Sequence, residues 1–281
     1  MVTLSEANRI LDKYQTANNC ANRTRDPNLL AKIEAGQLFA RSKAELEQLA
    51  TLTNKERQDY GEPFTFRDRT FYLPAGGNWF AAEATTTGKN RTVMVFEKST
   101  ATGGVWKKVA SLFPEKPVPT VVTSGGVARA ASTTAARAGL TPNGAGVAVE
   151  DLFATGGKKQ GGLFSRENAN VKSILKTYRQ RGDDLGRQAK VNFFPASPVH
   201  KKVYALHTRS GVLVVAPLAH NEESLVTNSA FQITPGKVGS VYDKTPRAVT
   251  VDVFQGEALV FLPSHGKPEI LDYRYAQTDS H

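Results

Sequence analysis

Apolar residues at Leu4, Ala7, Leu11, Tyr14 and Ala17 recur at helical spacing, which predicts an amphipathic helix running to about Ala21. Thr3-Leu4-Ser5-Glu6 opens it as a capping box. Asp26-Pro27 predicts a second helix, with Asp26 as cap and Leu29, Leu30 and Ile33 inward, ending at Gly36. Ser42-Lys43-Ala44-Glu45 reads as a further capping box, with a short helix to Leu49 or Leu52. From Phe64 the period changes to two. Strands are expected at Phe64 to Leu73, Asn78 to Thr87, Arg91 to Lys98 and Val105 to Phe113. The order then restarts. Helices are expected from Thr141-Pro142 to Gly156 and from Ser165 to Gly182. Strands follow at Ala189 to Phe194, Lys202 to Pro217 as a hairpin around Ser210-Gly211, and Ser224 to Ile233. Val249 to Leu262 reads as a hairpin around Gln255-Gly256, and Glu269 to Tyr275 as the last strand.

Helices followed by antiparallel strands, twice over, predict an α+β fold of two tandem helix-then-sheet domains. The prolines at 114, 117 and 119 break the first pattern, and an Ala/Thr/Gly/Ser-rich stretch with Arg129 and Arg137 as its only charges leads to the second. The expected division is an N-terminal α+β domain at 1–116, a linker at 117–140 with a short edge strand at Thr120 to Thr123, and a C-terminal α+β domain at 141–281.

Composition narrows the class. With 40% apolar and 22% charged residues, the chain can build cores, and no apolar run is long enough to span a bilayer. Cys20 is the sole cysteine, so an intrachain disulfide and a cysteine-based zinc site are excluded. Met1 to Glu6 lacks the basic start and apolar core of a signal peptide. Net charge is +10, of which residues 158–202 carry +8, from eleven Lys/Arg against Glu167, Asp183 and Asp184. Lys158, Lys159, Lys172, Lys176, Arg179 and Arg181 are the candidates there for contact with an anionic polymer or lipid. Aromatics are sparse among them, which disfavours nucleic acid.

No motif here specifies a reaction. Asp26 and Glu34, eight residues apart, are a conceivable carboxylate pair, although capping already accounts for Asp26. His207 and His220 are the histidine candidates for ligand binding, but His220-Asn221-Glu222-Glu223 lacks the two-His spacing of a zinc hydrolase. Gly156 to Gly162 lacks the Gly-Lys-Ser/Thr of a phosphate loop. No metal or cofactor is expected.

Several blocks carry a resemblance: Asn22 to Asp26 with Glu34-Ala35-Gly36, Arg69 to Pro74, Glu150 to Phe153 with Gly156 to Lys159, Lys202 to Leu206, Pro217 to His220, and Val253 to Leu259. On these the chain resembles a family of actinobacterial (Streptomyces-like) secreted lipoproteins of uncharacterised function. The resemblance implies export and attachment at the cell envelope through a lipid upstream of Met1. The helix-then-curved-sheet order is also similar to cystatin-like and NTF2-like folds, by analogy alone. These grounds favour a non-catalytic binding or scaffold module whose partner is an envelope polymer or protein. The alternatives are a small-molecule binder or enzyme with a pocket in a curved sheet, and a polyanion binder using residues 158–202.

Overall fold

The computed structural model describes residues 2–281. Helices α1 (Leu4–Thr24), α2 (Pro27–Ile33), α3 (Gly36–Glu47) and α4 (Asn54–Gly61) come first. Strands β1 (Phe66–Pro74), β2 (Trp79–Thr86), β3 (Arg91–Glu97), β4 (Lys107–Leu112), β5 (Thr123–Ser124) and β6 (Val127–Ala128) form one sheet, in the order β4-β3-β2-β1-β6-β5. Then come α5 (Pro142–Thr155), α6 (Ala169–Gln180), β7 (Ala189–Pro195), β8 (Tyr204–Thr208), β9 (Gly211–Val226), α7 (Gly239–Tyr242), β10 (Val249–Pro263) and β11 (Glu269–Ser280). The second sheet runs β11-β10-β9, and the far flank of β9 carries β8 and then β7. The fold is mixed α+β with two sheets, as the pattern predicts.

Strand alternation builds four layers. Phe80, Ala82, Ala84, Met94 and Phe96 face α1 and α2, where they bury Leu11, Tyr14 and Leu30. The neighbours Ala81, Val93 and Val95 point the other way, onto Tyr204, Leu206, Leu213, Val215 and Leu259 of the second sheet. That sheet's outer face, including Val212, Val214, Ala258 and Val260, packs on Val149, Leu152, Val171 and Ile174 of α5 and α6. The order is therefore helix, sheet, sheet, helix, and the central layer of apolar contact draws on both halves of the chain. Residues 118–131 cross between the sheets. β6 pairs in parallel with the end of β1, while Val122 and Ala131 donate to His207 and Ala205 of β8 at 2.8 and 2.9 Å.

Several sequence expectations change. Gly36 opens α3 with φ of +61° instead of ending α2, and a Cβ there would sit 2.8 Å from His200 Cβ. Ser42 consequently lies inside α3; the capping box that follows is Thr53/Glu56 at α4. β9 passes through Pro217 to Val226, and the chain leaves the sheet before Ile233. Pro217 is tolerated because the flank of β9 changes there from β8 to β7 and asks for no ladder donor. Gln255-Gly256 is not a turn: β10 is continuous, and Gly256 lets Arg274 and Tyr275 approach, since a Cβ would meet Arg274 O at 2.1 Å.

A buried clamp joins the sheets. Glu97 at the end of β3 is 2% exposed. It accepts from Lys202 Nζ at 2.9 Å and from the Tyr204 hydroxyl, and lies 3.2 Å from His200 Nε2. Burial opposes ionisation of Glu97, yet the hydrogen bonds from His200, Tyr204 and Lys202 outweigh it and hold its pKa well below the usual carboxylate range. A depressed carboxylate pKa contributes stability above its unfolded value of 4.5, and that contribution is lost as pH falls. Glu97→Gln should lower the unfolding free energy by about 2–3 kcal/mol at neutral pH, and should flatten the acid limb of a plot of urea midpoint against pH. An unchanged midpoint would show that the clamp is dispensable.

Candidate functional site

The Glu34-Ala35 segment sets the site. Glu34 caps α2 in extended conformation and bridges Lys108 on the edge of β4, with Ala35 N donating to Lys108 O at 3.1 Å. The Glu34 side chain turns onto the helix face of the first sheet, where Oε1 accepts from Tyr14 Oη at 2.6 Å and Asn18 Nδ2 at 3.3 Å. Its Oε2 is buried and makes no hydrogen bond of good geometry among the described residues, although the Ser42 hydroxyl stands near enough to pull the Glu34 pKa down. The Lys108 ammonium stands 4.5 Å from the centre of the Tyr14 ring, a cation–π contact. α3 then crosses to the second sheet. Arg41 Nη1 donates to Glu257 Oε2 of β10 at 2.6 Å, and its Nη2 donates to Ser111 O of β4 at 3.2 Å.

These groups surround a cavity of about 390 Å3. Tyr14, Glu34, Arg41 and Lys108 form its polar floor, Tyr60, Phe64 and Phe66 an aromatic wall, and Glu45 and Arg274 part of the rim. Glu34 is 2% and Lys108 4% exposed, so both are almost fully removed from water. Burial pushes the Glu34 carboxyl up, against the pull of Tyr14 and Lys108. Burial drives the Lys108 amine down to about 8, although Glu34 opposes the shift. Glu257, behind Arg41, rises to about 7 because burial exceeds the attraction of Arg41. The formal charges balance, Glu34, Glu45 and Glu257 against Arg41, Lys108 and Arg274, although burial pushes all three carboxyls towards the neutral form. Such a site can take hydrogen-bonding groups from a small ligand.

The candidates from sequence fall in different places. Glu34 lines the cavity, whereas Asp26 caps the far end of α2, its Oδ1 accepting from Asn28 N at 2.8 Å. The seven residues of α2 hold the two apart by about 10 Å of helix rise. His220 is buried on the other side of the second sheet, 3.0 Å from Glu150 Oε2 and stacked on Phe153 and Phe254. Tyr275 donates to the remaining Glu150 oxygen at 2.7 Å, so this network is internally satisfied. His207 is half-buried on β8, with burial and then Arg129 and Arg137 holding its pKa down. Arg179 and Arg181 join Arg187 and Lys190 around a cleft of about 590 Å3, with Asp183 on its wall. Lys158, Lys159 and Lys176 are exposed and do not line that cleft, and Lys172 pairs with Glu167 at 2.7 Å. No group of three or more His, Cys, Asp or Glu able to hold a metal occurs among the described residues.

Sequence reasoning missed Tyr14, Arg41, Lys108 and Glu257. The available signal was polarity out of place: Lys108 interrupts Val105 to Leu112, and Glu257 interrupts Val249 to Leu262. A charge within an apolar alternation is either exposed or held for a reason.

A family model described as a domain of unknown function (DUF8094) matches residues 1–281. An uncharacterised lipoprotein of Streptomyces coelicolor is 25% identical over 295 aligned positions, covering 99% of this chain and 82% of that protein. No solved structure matches. No helix among the described residues is long and apolar enough to cross a membrane.

Because its pKa falls on folding from 10.5 to about 8, Lys108 binds its proton less tightly in the native state. Between those values the unfolded chain carries the extra proton, so stability rises with alkali; that gain is complete above 10.5 and lost as pH falls through 8. The difference amounts to about 3 kcal/mol. Urea midpoints from pH 7 to 10 should rise in the wild type and stay flatter in Lys108→Met. Parallel curves would place the ammonium in water instead.

Proposed function

The chain belongs to the DUF8094 family, and on that premise we propose that it is a cell-envelope protein that binds a small polar molecule in the cavity between α1, α3 and β4. One observation carries the reading: Glu34, a buried carboxylate with one oxygen that makes no hydrogen bond, lines the same cavity as Lys108. Leaving a buried polar atom unsatisfied costs about 1–3 kcal/mol, and a ligand that supplies the missing bond recovers it. The volume lies within the range of small-molecule sites, about 300–1,000 Å3. The Streptomyces relative, named as a lipoprotein, supports an exported location with a lipid holding the protein to the membrane. Comparison of each half with cystatin-like or NTF2-like units rests on the helix-then-sheet order, which the chain repeats.

A thermal-shift screen of polar metabolites should find one chemical class that raises the melting temperature by about 5 °C at a hundred times its dissociation constant. Glu34→Gln should remove the shift. A screen in which no compound stabilises the wild type would overturn the reading.

The Arg179, Arg181, Arg187 and Lys190 cleft supports a second contact, with an anionic polymer or lipid headgroup. Inorganic polyphosphate should bind at low salt, weaken steeply as salt is raised, and fail to bind Arg179→Glu/Arg187→Glu. Binding indifferent to salt would remove this contact.

A further inference from the structure

The charge pattern of the cavity narrows what it can hold. An anion entering it meets Glu34, Glu45 and, behind Arg41, Glu257; a cation meets Lys108, Arg41 and Arg274. Either would be stripped of water and placed beside like charge, which is strongly unfavourable in a buried site. Arg41 already spends its fork on Glu257 and Ser111, so the guanidinium at the floor is not free to clamp a carboxylate or phosphate, and Arg274 stands out at the half-exposed rim. Two buried charged side chains line this space with hydrogen-bonding capacity left: Lys108, whose ammonium lies over the Tyr14 and Phe66 rings, and Glu34, whose Oε2 makes no hydrogen bond. No ion pair within 4.0 Å joins Lys108 to Glu34. The group that satisfies both at once is a hydroxyl, which accepts from one and donates to the other. The adjoining wall, Tyr60, Phe64 and Phe66, is aromatic, with Phe66 stacked on Tyr14, and suits the C–H face of a ring.

We propose that the ligand is a neutral polyhydroxylated ring compound, a saccharide of one or two residues, whose hydroxyls bridge Lys108 and Glu34 while its apolar face rests on Phe64 and Phe66. This rests on the cavity being a binding site, and it names the ligand class. Charge-assisted hydrogen bonds from both side chains favour a hydroxyl over an unbridged contact, and the balanced charge penalises the ionised analogues of the same sugar.

The test compares sugars of one shape and different charge: glucose, N-acetylglucosamine and trehalose against glucosamine and glucuronate, titrated by calorimetry into the full chain. At least one neutral sugar should bind at least about tenfold more tightly than either charged one, and Glu34→Gln and Lys108→Met should each weaken it by at least about tenfold. The wild-type ranking is decisive even if a variant fails to fold. Tighter binding of glucosamine or glucuronate, or of none of the five sugars, would overturn the ligand class. If a charged compound from the thermal screen then stabilises the wild type but not Glu34→Gln, the cavity still stands as a site; if nothing in either experiment binds, both readings fall.

Discussion

The contact on which the molecule turns is the polar face of α3 against the second sheet. Gln37 and Arg41 are both nearly inaccessible to solvent. Gln37 Nε2 donates to Leu218 O and Gln255 Oε1, each at 2.8 Å, while its Oε1 accepts from His200 N at 3.0 Å. Arg41, one turn on, reaches Glu257. Buried polar groups are stable only when their partners are in place, so this face ties the first half of the chain to one arrangement of the second.

The cavity follows from that constraint. α3 packs on β4 and β10 at once, with Arg41 bonded to both strands, and Glu34 and Lys108 line the space left between it and α1. Replacing a set of buried charges by an apolar filling of similar volume is often neutral or stabilising. The chain instead keeps four ionisable side chains, Glu34, Arg41, Lys108 and Glu257, at or below 5% exposure in one place. Structural need explains the Arg41–Glu257 pair. It does not explain the open valences of Glu34 and Lys108, and these define the site.

Much of the architecture was legible in the chain. The Leu4 to Ala17 stripe, the Asp26-Pro27 start and the proline break at 114–119 all lie where the pattern puts them, and the β8–β9 hairpin forms with its turn one residue earlier, at Arg209-Ser210, so that Gly211 pairs with Thr208. Face-to-face packing of the sheets had a signal too: Val93 to Phe96 and Val212 to Ala216 are unbroken apolar runs, as expected of strands buried on both faces. Alternation alone could not say that each sheet covers the other. Gly36, Pro217 and Gly256 misled for a common reason. Each resembles punctuation, but each answers to a tertiary neighbour: His200, the gap beside β9, and the backbone of Arg274. Half of the site was visible as Glu34. Its partners come from positions 74 and 223 residues further on, and no local spacing encodes that meeting.

If the α3 seam binds the halves into one cooperative structure, native-state hydrogen exchange should show it. Amides of β2–β3 and of β9–β10 should exchange through openings of equal free energy, and Arg41→Met should lower both by the same amount. Protection that survives intact in β9–β10 while β2–β3 opens would contradict the account, because the cavity would then lie between two independently folding parts.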